Sequence, residues 1–423
     1  CFGDAGVETA FEVARALARD GTGPLWFATV GAQAIGPDEA PDVSQAPLWG
    51  LGPVLANEEP GLSPRLADLD PAALDASIES LAGELGGGAV PGEGLAWRDG
   101  VRRVARLERR RSLAGRETKL PVQSDAVHVL TGGLGALGIR VARRLVELGA
   151  RHLVLAGRAE LDDGRRRELT ALEAAGATAR YVRADVSREE DVERLLAGAS
   201  DQGLPVAGVV HLAGILDDAS FRDLDRDRFR AVFAPKAGAA WLLHRATAGL
   251  PLDYFVLFAS AAPVVGTPGQ SAYAAANAAL DALAHHRRAL GLPATSIDWG
   301  PWSGSGMASS AAKAGRLRGL GEIDPERGLD LFERFGAGEP PRRVVLPLDP
   351  VRLAGSFGDR ARPPLLERLL GGPAMDPEGG RFRSRLALAP AARRAPLLLE
   401  HVERTAVRVL GMDPARRLES ARP

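Results

Sequence analysis

Apolar and polar positions along the 423-residue chain repeat with two periods, one helical and one of strand type. Near the start, the spacing predicts a helix over Val7 to Arg19. The run Pro24-Leu25-Trp26-Phe27-Ala28-Thr29-Val30 follows and is short enough for a buried strand. Further helices are predicted from Leu48 to Ala56 and from Ala72 to Leu85, and a strand from Val101 to Leu107. This alternation predicts a Rossmann-like layered unit. No glycine fingerprint follows its first strand, so this half reads as structural and without a nucleotide of its own. From Ala126 to about Leu353 the βα alternation is regular, with strands predicted at 127–131, 152–157, 179–185, 207–212, 253–259, 294–299 and 342–347. The predicted fold class is therefore α/β with two Rossmann-like subdomains, the second a full doubly wound parallel sheet.

Residues 108–125, basic and then polar with Pro121, read as a linker. A second stretch rich in Gly, Pro and Arg runs through 354–380. Beyond it, Leu397, Leu398, Val402, Ala406, Val407 and Leu410 recur at helical spacing before Gly411. The expected organisation is a structural subdomain over 1–112, a catalytic subdomain over 126–353, a linker over 354–390 and a further region over 391–423. The chain starts at Cys1 rather than Met and stops at Pro423 just after a helical pattern, so both ends are expected to be cuts through a longer polypeptide.

Composition narrows the chemistry. Apolar residues make up 45% and charged residues 25%, a globular balance. Net charge is −1 and the pI about 6.8, so nothing global recruits nucleic acid or an anionic membrane. Cys1 is the only cysteine, which excludes a disulfide scaffold or a Cys-rich metal site, and no metal is expected. There is no signal peptide and no apolar run of membrane length, so a cytoplasmic location is expected. Basic residues are almost all Arg; lysine occurs only at Lys119, Lys236 and Lys313.

The sharpest local signal is Thr131-Gly132-Gly133-Leu134-Gly135-Ala136-Leu137-Gly138, between a predicted strand and a predicted helix. A glycine turn lets backbone approach a pyrophosphate, and the helix N-terminus supplies N–H donors. Strand, turn and helix together make this a nucleotide site, whereas a lone glycine motif would be an ordinary turn. The next strand ends in Gly157-Arg158, where an acid would hold the ribose of NAD. Arg158 can instead pair with a 2′-phosphate, so NADPH is the expected cofactor. The third strand ends at Asp185-Val186, where the acid either accepts from the adenine amine or caps a helix.

Strand four ends in His211-Leu212-Ala213-Gly214, a small-residue turn expected under the nicotinamide. Strand five ends in Ala259-Ser260, and thirteen residues on lies Tyr273, with Asn277 one turn further on the same helix face. Carbonyl reduction needs a proton donor, an oxyanion partner and a positive charge that lowers the donor's pKa. Tyr273, Ser260 and Lys236 can fill these roles. Singly, they read as a packed tyrosine, a cap and a solvated lysine; in this order after a nucleotide fold, they read as catalytic.

The chain resembles the ketoreductase domains of modular type I polyketide synthases, members of the short-chain dehydrogenase/reductase superfamily. The resemblance covers nearly the whole chain. Thr131 to Gly138 matches the family's nucleotide turn, and Ser260, Tyr273 and Asn277 match its Ser, Tyr and Asn. Lys236 matches its Lys, on the preceding helix, with Asn277 where simpler reductases carry Lys. Ser296 to Trp302 resembles the strand leading to the substrate lid. Gln45-Ala46-Pro47-Leu48-Trp49-Gly50 resembles the structural subdomain, and 390–423 the approach to an acyl carrier protein with its first helix. The serine that bears phosphopantetheine is expected beyond Pro423. Gly157 departs from the family's Ser beside the phosphate-binding Arg, a loss of one hydrogen bond worth about 1 kcal/mol. Ala259 and Pro263 also replace commoner Ser and Gly.

What the resemblance implies is NADPH-dependent reduction of a β-ketoacyl thioester held by the phosphopantetheine of an acyl carrier protein, among neighbouring synthase domains. Leu216-Asp217-Asp218 resembles the mark of B-type enzymes, which form a D-configured β-hydroxyl. The opposite class carries Trp at the position of Val265. Trp302 is expected beside the substrate as well. The bland alternative, that the two aspartates are only a solvated, helix-capping pair ahead of Phe221, is the weaker reading and can coexist with guidance. Two other readings use the same residues, an inactive scaffold ketoreductase within a synthase and a free-standing short-chain reductase. The intact turn and Tyr273 speak against the first, and the N-terminal half and carrier-like tail against the second.

Overall fold

The computed structural model describes residues 4–20, 23–36, 38–85, 92–109, 119–200, 203–304, 319–338, 340–356, 362–370, 390 and 393–399. Contacts divide the chain into one unit over 1–370 and another over 371–423. In the second unit 393–399 is helical, and the rest of the helix expected over 391–410 lies outside the described residues. Among the described residues no helix is long and apolar enough to cross a membrane, and no three His, Cys, Asp or Glu side chains group as metal ligands.

The first unit holds two sheets. The smaller begins with α1 (Asp4–Asp20) and β1 (Trp26–Val30), continues through α2 (Pro47–Glu58), β2 (Arg65–Leu69) and α3 (Leu74–Leu85), and ends in β3 (Gly94–Arg98) and β4 (Val101–Val104). Strand order is β1-β2-β3-β4, the first three parallel and the last antiparallel. Two of these strands went unseen in the sequence. Arg65–Leu69 and Gly94–Arg98 are five residues each and buried at nearly every position, so neither shows the alternation that marks a half-buried strand. After β1 the N–H groups of Ala32 and Gln33 donate to the buried Asp68 carboxylate at 2.7 and 3.2 Å. Asp68 also takes Thr29 Oγ1 at 2.6 Å and Arg98 Nη2 at 2.7 Å. A carboxylate of the chain itself thus occupies the donors at this strand end.

The larger sheet has seven strands, all parallel: β5 (Val127–Thr131), β6 (His152–Gly157), β7 (Thr178–Arg183), β8 (Val206–His211), β9 (Tyr254–Ser260), β10 (Thr295–Trp299) and β11 (Arg342–Val345). Their order is β7-β6-β5-β8-β9-β10-β11, so the chain reverses its winding between β5 and β8. Ligands of open α/β sheets sit in the crevice at that switch point, outside the carboxyl ends of the strands. The helices are α4 (Ala136–Glu147), α5 (Asp163–Ala174), α6 (Glu189–Ala199), α7 (Arg226–Phe233), α8 (Ala239–Thr247), the short α9 (Ala262–Val265), α10 (Ser271–Ala289), α11 (Pro325–Phe335) and α12 (Pro350–Ser356). A π turn over Ala234–Gly238 joins α7 to α8 and carries Lys236. Such a bulge re-aims side chains without ending the helix.

The sheets are joined through α2 and α10. A Cβ at Gly50 would lie 2.3 Å from the Ala274 carbonyl oxygen, so only glycine lets α2 press on the helix that carries Tyr273. Part of the expected linker is ordered: Leu366 and Leu370 are buried beside Val264 and Leu353, and Leu107 N–H donates to Leu365 O at 2.8 Å.

Candidate active site

A cavity of about 620 Å³ opens at the switch point. Its floor is the turn after β5. Gly132 has φ +67°, and a Cβ at Gly138 would lie 2.2 Å from Gly132 O, so the turn closes only with glycine at both places. Gly135 stands at the N-cap of α4, whose first N–H groups have no carbonyl within the helix to bond. Gly132, Leu134, Gly135, Leu137 and Gly138 line the cavity. Thr131 and Gly133 do not; Thr131 faces inward instead, as described below.

Arg158, exposed just past β6, lines the same cavity, and no acidic side chain of the described residues pairs with it. Around it Arg165 pairs with Asp162 and Arg183 with Glu160. The space a serine would take at Gly157 is tight: a Cβ there would lie 3.1 Å from the hydroxyl of Tyr181, which donates to Ala159 O at 2.5 Å. Asp185 and Val186 also line the cavity, just beyond β7. Asp185 Oδ1 accepts from Ser187 N–H and Oγ at 3.1 and 2.7 Å, a turn ahead of α6 rather than the expected helix cap, since the N-cap of α6 is Arg188. Ala213 and Gly214 close the floor under Lys236.

Ser260, Tyr273 and Lys236 converge on the cavity from the end of β9, the first turn of α10 and the π turn. Lys236 is buried; its Nζ donates to Phe258 O at 2.9 Å and lies 5.2 Å from the centre of the Tyr273 ring. Burial lowers the ammonium to about 8, against the opposing pull of the Asp281 and Asp298 carboxyl groups. Burial raises the Tyr273 hydroxyl above its ordinary value, and hydrogen bonding from Asn277 and Ser260 brings it part of the way back. Asn277 is fully buried and does not line the cavity; its Nδ2 donates to Tyr273 O at 2.7 Å, and its Oδ1 has no partner among the described residues.

His211 joins these groups from behind, a link that sequence reasoning missed. Burial, with the Lys236 charge beside it, lowers the imidazole to about 3, so it is neutral. Its Nε2 faces Lys236 O at 2.9 Å and therefore carries the proton, while Nδ1 accepts from the Thr131 hydroxyl at 2.7 Å. Thr131 and His211 thus tie the start of the glycine turn to the backbone of Lys236. A histidine ending an otherwise apolar strand was the available signal.

Of the residues expected to guide the substrate, Leu216, Val265 and Trp302 line the cavity. Asp217 and Asp218 do not. Arg228 Nε donates to Asp217 Oδ2 at 2.7 Å and holds that carboxyl below its usual range; Gln270 Nε2 donates to Asp218 Oδ1 at 3.1 Å. Gln270 stands three residues ahead of Tyr273, so the Leu-Asp-Asp loop is fastened to the start of the catalytic helix. Trp302 is packed edge-on to Trp299 at 5.0 Å and is almost fully buried.

The glycine turn at the N-terminus of α4 and Arg158, with which no described acidic side chain pairs, fit a nicotinamide dinucleotide lying across the switch point. Comparison with known proteins agrees. The KR domain family model matches residues 126–304, and the model described as "Polyketide synthase extender module SpnB, Rossmann fold domain" matches residues 4–107. The chain is 38% identical over 416 residues to polyketide synthase GfsA of Streptomyces halstedii, covering 93% of this chain and 6% of that protein. It is 43% identical over 311 residues to the spectinabilin polyketide synthase system protein NorB of Streptomyces orinoci, covering 70% and 14%. The chain thus spans only a small part of the curated relatives it matches. Among solved structures, an A-type ketoreductase from a modular polyketide synthase aligns with TM-score 0.76 and 35% identity, covering 85% of this chain and 76% of that one. The first ketoreductase of the tylosin synthase aligns with TM-score 0.72 and 35% identity, covering 84% and 77%. A C2-type ketoreductase gives TM-score 0.72 at 32% identity, covering 84% and 76%, so the overall fold does not separate the types. With both of its halves matched in this way, the chain belongs to the ketoreductase domains of modular polyketide synthases.

Proposed function

We propose that this domain reduces, with NADPH, the β-keto group of a polyketide thioester carried by an acyl carrier protein, and forms a D-configured β-hydroxyl. The observation that carries the reading is the convergence of Lys236, Ser260 and Tyr273 on one cavity with the glycine turn and Arg158. When bound, the reduced nicotinamide supplies the hydride. Tyr273 then holds the proton for the ketone oxygen, and Ser260 donates a hydrogen bond to the same atom. Lys236 stabilises the tyrosinate that remains, and Asn277 holds the first turn of α10 in place through its bond to Tyr273 O. Gly132, Gly135 and Gly138 let the backbone approach the pyrophosphate, Arg158 takes the 2′-phosphate, and Asp185 and Val186 border the adenine.

The D configuration rests on the loops. The face of hydride delivery is set by the cofactor, so the product's hand follows the side from which the thioester arm enters. Leu216 borders one side, and Val265 leaves the other without the bulk of a tryptophan. The test is NADPH oxidation with a racemic 2-methyl-3-ketoacyl thioester, followed by chiral chromatography. Turnover with a predominant D-hydroxyl is expected; absence of turnover overturns the reductase reading, and an L-hydroxyl product overturns the stereochemical one.

A pH profile follows from the site. Lys236 loses its proton near 8 rather than 10.5, so its charge is present below that value and is lost as pH rises through it. Both active forms, charged Lys236 and protonated Tyr273, prevail on the acid side. Turnover at saturating substrates is expected to be level near neutrality and to fall about tenfold per pH unit above about 8. A profile flat to about pH 9.5 would remove Lys236 from the mechanism.

A further inference from the structure

At the end of α2, three consecutive residues each hold a different piece of the cavity's substrate side. Asn57 Nδ2 donates to the carbonyl oxygens of Gly266 at 2.6 Å and Val265 at 3.3 Å. Glu58 accepts from Gly269 N–H on Oε1 at 2.8 Å and from Phe221 N–H on Oε2 at 2.6 Å. Glu59 pairs in a fork with Arg222 at 2.6 and 2.7 Å. The residues they hold belong to two loops. One, 216–222, carries Leu216; the other, 265–270, carries Val265 and Gln270, and all three of these side chains line the cavity.

The loops are also bonded to each other, through Ala219 N–H to Gly269 O at 3.0 Å and Gln270 to Asp218. Phe221 is fully buried and meets Phe11 of α1 edge-on at 5.4 Å, which anchors the first loop from below. Of the three side chains at the end of α2, Glu58 is the one that bonds both loops at once, with one oxygen for each. A carboxylate can do this because both its oxygens accept; an amide offers a single acceptor and a donor in the other place.

We propose that Glu58 is a positioning residue for product stereochemistry: by accepting one backbone N–H from each loop, it fixes the separation of Leu216 from Val265, between which the thioester arm enters. The inference rests on the reductase reading above and gives the N-terminal half a part in selectivity. Glu58 takes no part in proton or hydride transfer, so its effect is expected in the product ratio and the thioester KM rather than in chemistry on a simple ketone.

The test uses the full chain with Glu58→Gln, which keeps size and one acceptor but turns an NH2 toward the second N–H. The minority β-hydroxyl hand is expected to rise about fivefold with the 2-methyl-3-ketoacyl thioester, the change given by one lost hydrogen bond. The thioester KM is expected to rise with it, while kcat on a small cyclic ketone without a thioester arm and the KM for NADPH hold. Should that variant not fold, Glu58→Asp decides by the same criterion, since it keeps both acceptors but draws them back from the two N–H groups by one methylene. A wild type that fails to reduce the thioester overturns the reductase reading and this inference together. A wild type that forms one hand, with a folded variant that keeps both the ratio and the KM, overturns this inference alone.

Discussion

Replacing Tyr273 by Phe is expected to lower kcat roughly 10²–10⁴-fold, the usual worth of a positioned general acid, while NADPH affinity is retained. The ring stays, so the packing of α10 and the contact with Lys236 stay too. Only the hydroxyl is lost, and with it the proton for the developing alkoxide. Ser260 can still hydrogen-bond that oxygen, but its hydroxyl is a weaker acid than the lost phenol, whose ring lies 5.2 Å from Lys236 Nζ. Steady-state reduction of a β-ketoacyl thioester, with cofactor binding followed separately by fluorescence, is the measurement. Wild-type turnover in the variant would assign the proton to another group.

The second large effect is expected at Arg158. Arg158 is exposed and lines the cavity, and no described acidic side chain competes for it, in contrast to the neighbouring Arg165 and Arg183. A charge-assisted contact to a 2′-phosphate is available to Arg158, and NADH offers nothing in its place. Arg158→Ala is expected to raise the KM for NADPH about 10- to 100-fold and to leave that for NADH nearly unchanged. Solvent screening at this exposed position argues for the lower part of that range. An equal effect on both cofactors would show that Arg158 acts on the shared pyrophosphate or on folding. Gly157→Ser is not expected to tighten NADPH binding, because the hydroxyl of Tyr181 stands only 3.1 Å from where the new Cβ would be. A serine at that position would make a tight contact with the Tyr181 hydroxyl, so its gain is smaller than one added hydrogen bond.

The motif residues were legible because their chemistry is local. A glycine turn between strand and helix, an Arg at the next strand end, and a Tyr one turn ahead of an Asn each carry their spacing in a few consecutive residues. The seven strands of the larger sheet were legible for a related reason: they alternate with helices, and β5, β6, β8 and β9 are short, largely apolar runs. Where the reading fell short, the missing information was not local. Strands Arg65–Leu69 and Gly94–Arg98 are buried on both faces and have no period of their own to show. Residues 362–370 have the composition of a linker, yet they are held by contacts to Leu107, Arg106 and Val264, far away in the chain.

The same division runs through the site. The sequence by itself determined which side chains are available for the proposed dinucleotide binding and proton transfer, because their order after a nucleotide fold is local to a few short segments. Only the tertiary structure decided what stands behind them. His211 is a strand-end residue until the fold sets it between Thr131 and the Lys236 backbone. Asp217 and Asp218 are loop acids until Arg228 and Gln270 turn them away from the cavity and leave Leu216 facing it. Asn57, Glu58 and Glu59 are an ordinary helix end until α2 packs on α10 and brings them to loops more than 160 residues further along the chain. Such partners are chosen by close packing and by the need of buried N–H groups for an acceptor, and neither requirement is written in the residues near them.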